Sequence, residues 1–157
     1  MIKYKLEVDY ILDTNILLIY LRDKYISRTI NEKYQSLIFP NSSVISVVTV
    51  GELKSIALQN NWGAGKINQL QQFINHFLIA DINVESIVNR YAEIDAFSQG
   101  KLKGKPLGVS SRNMGKNDLW IAATASVLNI PLITIDKDFL HLDNKFLKLD
   151  FFDMGLI

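Results

Sequence analysis

The stretch KNDLWIAATASVLNIPLITID, residues 116–136, reads as a buried helix that turns directly into a buried strand. Apolar and helix-forming side chains follow Asp118, Pro131 cannot continue the helix, and LITI (132–135) is a mainly apolar, uncharged run with three β-branched residues. A strand without polar alternation is one covered on both faces, as in a parallel sheet between helices. The helix is predicted to run from Asn117 to Pro131. Asn and Asp are both favoured caps, and one cap contributes about 1 kcal/mol. Asn117 is assigned that role, so Asp118 needs another reason. With LWIAATA behind it, its carboxylate stands at the mouth of a buried helix and faces a cleft rather than open water.

Working outward, the same strand-then-helix alternation recurs. LEVDYIL (6–12) reads as a strand ending at Asp13, followed by a helix over NILLIYLRD (15–23). SVISVV (43–48) is a second strand, and TVGELKSIALQNN (49–61) a helix with Val50, Leu53 and Ala57 on one face. KINQLQQFINHF (66–77) and VESIVNRYAEIDAF (84–97) have helical spacing, with a third strand at FLIADI (77–82) between them. Gly100 ends the second of these helices, and a last short strand lies within KFLKLDFF (145–152). Repeated βα units imply an α/β fold: a three-layer α/β/α sandwich with a central parallel sheet of four to five strands, built as one domain over residues 1–157.

The 157 residues contain no cysteine, which excludes disulfides, thiolate metal sites and a cysteine nucleophile. No apolar run approaches the roughly 20 residues of a membrane span, and MIKYKLEVDY has no continuous apolar stretch of the secretory kind. A cytoplasmic protein with no membrane partner is expected. The formal net charge is +1, so a nucleic-acid footprint must be local. One local candidate exists. KLKGKPLGVSSRNMGK (101–116) holds Lys101, Lys103, Lys105, Arg112 and Lys116 and no acid, and it leads straight to Asp118. It reads as a phosphate-guiding rim or as a solvated loop.

In open parallel sheets ligands bind beyond the carboxyl ends of the strands. Among the sixteen acids, Asp13, Glu52, Asp118 and Asp136 lie at such an edge or near the start of the helix that follows. Asp81 also passes this filter but reads as a turn residue, and Asp138 as the start of a short KDFLHL helix. Four converging carboxylates repel one another. A like pair about 4 Å apart costs about 1 kcal/mol in water and about 4 kcal/mol at an effective dielectric of 20. Several such pairs rival the stability of a small domain, about 5–15 kcal/mol. Either some of these acids hold protons, or a hard divalent cation sits among them; all-oxygen ligands suit Mg²⁺ or Mn²⁺.

ILDTNILL, ISVVTVGEL, KNDLWIAATA and LITIDKDF, in that order, resemble the motifs of PIN-domain ribonucleases, and within them the VapC-type toxins of toxin–antitoxin pairs. The resemblance spans roughly residues 8 to 150. It implies that Asp13, Glu52 and Asp118 are acidic metal ligands and Asp136 the fourth, more variable one, with Asp138 its rival. It implies that Thr14, Asn15, Asn117 and Thr134 support the site. It further implies Mg²⁺- or Mn²⁺-dependent cleavage of RNA to 5′-phosphate and 3′-hydroxyl ends, a homodimer, and a cognate antitoxin partner. Arg112, Lys116 and Lys105 are the candidate substrate contacts. His76 and His141 read as surface or core-edge residues, and Trp120 as helix packing rather than base stacking. A magnesium-dependent aspartyl phosphotransfer domain and a non-catalytic RNA- or partner-binding module remain as alternatives.

Overall fold

Three neighbouring pairs, Ile11–Leu12, Val44–Ile45 and Leu132–Ile133, organise the molecule. Successive strand side chains point to opposite faces. Ile11, Val44 and Leu132 enter one buried cluster, while Leu12, Ile45 and Ile133 enter a second. The computed structural model describes residues 8–34 and 42–156, so Leu6 and Glu7 of the expected first strand lie outside the described residues.

The strands are β1 (Val8–Leu12), β2 (Ser42–Ser46), β3 (Leu78–Ala80), β4 (Leu132–Thr134) and β5 (Leu149–Phe151). They form one parallel sheet in the order β3-β2-β1-β4-β5. The helices are α1 (Thr14–Arg22), α2 (Lys24–Tyr34), α3 (Val47–Gln59), α4 (Ala64–Ile74), α5 (Glu85–Ser98) and α6 (Lys116–Leu128). Ile16, Ile30, Leu53 and Leu70 of α1 to α4 pack on one face of the sheet. Ile87, Phe97 and Ile121 of α5 and α6 pack on the other. This is the α/β/α sandwich expected, with five strands. Among the described residues no helix is long and apolar enough to cross a membrane.

The element limits differ from expectation for local reasons. Val47 and Val48 favour strands by their branching, yet they open α3 because the Ser46 side chain accepts the Val48 N–H at 3.1 Å. The helix α2 has no counterpart in the sequence reading. Asp23 starts it by accepting the Ile26 N–H at 2.9 Å while closing α1 behind it. At its far end α6 stops one turn early. Asn129 adopts a left-handed conformation at φ 54°, ahead of Pro131.

From β1 the chain moves outward through β2 to β3, then returns across the sheet to β4 on the other side of β1. The order therefore reverses between β1 and β4, and their carboxyl ends flank the crevice where such sheets bind ligands. Ile133 lies in β4 with no exposed surface, and Ile79 lies on edge strand β3 half exposed. Ile133→Ala is expected to lower stability by about 2–5 kcal/mol in urea unfolding. Ile79→Ala is expected to stay within about 0.5 kcal/mol of wild type.

Candidate functional site

Asp13 follows β1 and occupies the cap position of α1, but its carboxylate makes no capping bond. Oδ2 instead accepts the Thr134 hydroxyl at 2.7 Å, from the end of neighbouring β4. The same Thr134 oxygen accepts the Asp136 N–H at 2.9 Å. Asp13 is 2% exposed and Thr134 fully buried, so the first acid sits inside the crevice.

Glu52 enters from α3. Because that helix begins at Val47, Glu52 lies in its second turn rather than its first. Its Oε1 accepts the Thr14 hydroxyl at 2.8 Å, and the Thr14 and Thr49 hydroxyl oxygens are 3.0 Å apart. With the Thr14 proton directed at Glu52, Thr49 donates to Thr14. Thr49 is fully buried and was missed in the sequence. Its signal is the spacing to Glu52, three residues apart and so on one helix face. Asn15, also expected to support the site, is half-buried in the first turn of α1.

Asp118 lies in the first turn of α6, half-buried. Here one expectation is corrected: Asn117 is not the cap. The helix starts at Lys116 and Gly115 takes the cap position, with no side-chain capping bond. A side chain at 115 would crowd the Asp118 carboxylate, since a Cβ there would stand 3.1 Å from its Oδ2. Asn117 is exposed, and it lines a groove of about 640 Å³ between α3 and α6 together with Glu52, Ser55, Gln59 and Trp120.

Asp136 caps the 3-10 helix Lys137–Leu142, accepting the Asp138 N–H at 2.8 Å. It therefore does fill the local role a turn residue would fill, and its charge still reaches the crevice. Asp13 is pushed up from an ordinary 3.8 to about 7. Burial is the main cause, opposed by the Thr134 hydroxyl and the Thr14 backbone, and reinforced by the charges of Asp118 and Asp136. Asp118 is pushed up to about 6, by burial first, then by the charges of Asp136, Glu52 and Asp138. The structure thus brings Asp13, Glu52, Asp118 and Asp136 into one electrostatic field. Among the described residues, no group of three or more His, Asp or Glu side chains is arranged to hold a metal ion as it stands.

The basic loop divides. Arg112 reaches the acidic end, with Nη1 3.7 Å from Asp138 Oδ1. Lys116 is the first residue of α6 and exposed. Lys105 is engaged elsewhere: its Nζ donates to the Lys145 carbonyl at 2.7 Å and stands 3.7 Å from the centre of the Phe146 ring. Trp120 packs on Tyr91 with ring centres 4.3 Å apart while also lining the groove. Asp81 accepts the Asn83 N–H, as a turn residue does. His76 is exposed, and His141 is bonded to Ser98.

The PIN domain profile matches residues 10–145, a span that holds all four acids. The chain belongs to the PIN-domain family. No curated protein matches it by sequence. Solved structures do share the fold. VapBC2 from Rickettsia felis, bound to a DNA fragment from its promoter, has a chain 23% identical with a TM-score of 0.71, covering 93% of this chain and 100% of that one. VapBC-1 from nontypeable Haemophilus influenzae matches at 26% identity and TM-score 0.70, covering 92% and 98%. FitAB bound to an IR36 DNA fragment matches at 24% and 0.65, covering 90% and 93%.

In this PIN domain the native state binds the Asp13 and Asp118 protons more tightly than the unfolded chain does. The stabilisation linked to them is complete below about pH 4 and is lost as pH rises through 6 to 7. The variant Asp13→Asn escapes that loss. In metal-free buffer its melting temperature is expected to gain on wild type between pH 4 and pH 8, at roughly 2–4 °C per kcal/mol recovered. Thermal melts at a series of pH values check this. A constant difference across the range would contradict it.

Proposed function

We propose that this PIN domain is a Mg²⁺- or Mn²⁺-dependent endoribonuclease, cleaving single-stranded or loop RNA to 5′-phosphate and 3′-hydroxyl ends. The observation that carries the reading is the meeting of Asp13, Glu52, Asp118 and Asp136, from four distant segments, at the point where the sheet order reverses. The donors are all oxygen, which suits a hard cation. Glu52, Asp118 and Asp136 are each partly exposed, so side-chain rotation can close them around one. Asp136 is preferred to Asp138 as the fourth acid, because its charge acts on Asp118 more strongly and Asp138 is paired with Arg112.

A bound Mg²⁺ or Mn²⁺ supplies an acidified water and stabilises charge on the leaving 3′ oxygen. The chain's own residues do the rest. The Thr134 hydroxyl orients Asp13, and Thr14, backed by Thr49, orients Glu52. Arg112 and Lys116 receive phosphates beside the acids, with Asn15 and Asn117 as further polar support. Lys105, held at Lys145 and Phe146, contributes to the rim only by bracing its loop.

The same proposal makes the protein the cytoplasmic toxin of a toxin–antitoxin pair, a single domain over residues 1–157 acting as a homodimer. Support comes from neighbours of matching fold that are themselves toxin–antitoxin complexes. The apolar groove between α3 and α4, with Leu58 74% and Ile67 43% exposed, suits an amphipathic antitoxin segment. One observation favours a second reading, a non-catalytic partner-binding PIN module: the described acids do not stand in a ready-made metal cage.

Cleavage of labelled single-stranded RNA with Mg²⁺ or Mn²⁺ separates the two. Asp118→Asn is expected to lower the rate about a hundredfold or more, since several kcal/mol of charge stabilisation depend on the ion. Its fold should persist by circular dichroism. Equal cutting by both proteins removes Asp118 from the mechanism. Failure of the wild type either to bind Mn²⁺ or to cut any RNA selects the binding module.

A further inference from the structure

Ser98 is the last residue of α5, fully buried, and it makes three separate contacts. Its carbonyl accepts the Arg112 N–H at 2.7 Å. Its hydroxyl lies 2.7 Å from His141 Nε2 and 3.4 Å from Met114 Sδ. His141 belongs to the 3-10 helix that also carries Asp138, and its ring stacks on Phe97 with centres 6.2 Å apart and planes 7° apart. Burial, then the Arg112 charge, hold the imidazole below its ordinary 6.5. The ring is therefore neutral at pH 7 and bonds to Ser98 as a neutral partner.

These contacts bracket one segment. Arg112 is tied at its backbone, Met114 is buried with its sulfur on the hydroxyl, Gly115 caps α6, and Asp118 follows within a turn. The guanidinium of Arg112 is left at the surface, touching Asp138. A long ion pair between two exposed side chains contributes little on its own. It does not account for where the loop runs. The buried Ser98 contacts do.

We infer that Ser98 and His141 are positioning residues for a phosphate subsite. They fix the 112–115 segment so that Arg112 stands beside the acids, where an RNA phosphate can replace Asp138 as its partner. A planar guanidinium suits a phosphodiester in two-point contact. The inference rests on the nuclease reading and adds to it the device that sets substrate affinity.

Ser98→Ala and His141→Phe test it: both leave the Ser98 carbonyl bond to Arg112 in place, the first removing the hydroxyl's contacts with Met114 and His141, the second only that with His141 while keeping a ring against Phe97. Both are expected to raise KM for single-stranded RNA about tenfold, with kcat and Mn²⁺ affinity within twofold of wild type. In an Arg112→Gln background Ser98→Ala should add no further rise, because it acts through Arg112. Amide hydrogen exchange of 109–115 should quicken about tenfold in both variants, with α6 unchanged. An unchanged KM, or a rise of the same size with Arg112 already replaced, overturns the inference while leaving the nuclease reading intact. If the wild type cuts no RNA, the nuclease reading fails, and exchange alone decides the positioning: quickened exchange supports it, unchanged exchange overturns it. Should Ser98→Ala not fold, His141→Phe carries the same tests at a half-buried position.

Discussion

The Asp13 carboxylate is placed where water hardly reaches, and much of the architecture follows from that. It ends β1, the middle strand of five, and helical layers cover both faces of the sheet. A charge buried there without a partner of opposite sign costs several kcal/mol. One hydrogen bond from Thr134 returns about 1.5–3 kcal/mol. The balance is why the acid keeps its proton to about pH 7. The fold tolerates this group rather than profiting from it. Two apolar clusters, one on each face of the sheet, supply the stability that the acid withdraws. Strain of that kind persists at sites kept for function.

Much of this was legible in the sequence because it depends on residue type and period. Mainly apolar runs such as LITI fixed the strands in the middle of the sheet, and the acids were found by asking which ones end strands. What was not legible depends on single hydrogen bonds. Val47 and Val48 look like strand because their side chains are branched, and one bond to Ser46 makes them helix. The helix α2 does carry a period, Ile26, Ile30 and Tyr34 on one face, but it is polar on average and only Asp23 separates it from α1, so it was passed over. Asn117 has the better cap chemistry, but Gly115 has the space: a Cβ there would press on Asp118. Thr49 was already placed in a helix, but its role depends on the Thr14 hydroxyl thirty-five residues away, which no local pattern brings near.

The basic loop illustrates the limit of reading charge from a run of residues. Its lysines and arginine are near one another in sequence, and the fold sends them to different places. Lys105 lies over Phe146 and bonds to a backbone carbonyl, where it braces the loop against the end of the chain. Arg112 turns to the acids because its backbone is anchored on Ser98. One end of the loop is thus held against backbone and ring, and the other is turned to the acids. Gly108, between Lys105 and Arg112, adopts a positive φ, as Gly104 does just before Lys105.

The groups that hold the acids are as telling as the acids. Thr134 holds Asp13, and Thr14 with Thr49 holds Glu52. A hydroxyl orients a carboxylate without cancelling its charge, whereas a buried lysine or arginine would neutralise it from within. Among the described residues the ion pair near this crevice is Arg112 with Asp138, on the exposed side and 3.7 Å long. The negative field at Asp13 and Asp118 is therefore left uncompensated by the protein itself, with its direction set by neutral donors. Such an arrangement is poor design for stability, and it leaves the acids with no internal counter-charge that an incoming cation would have to displace. The threonines thus connect sheet topology to chemistry. Two of them sit on the strand end and the helix start that flank the reversal of the sheet, and the third lies one turn ahead of Glu52 on α3.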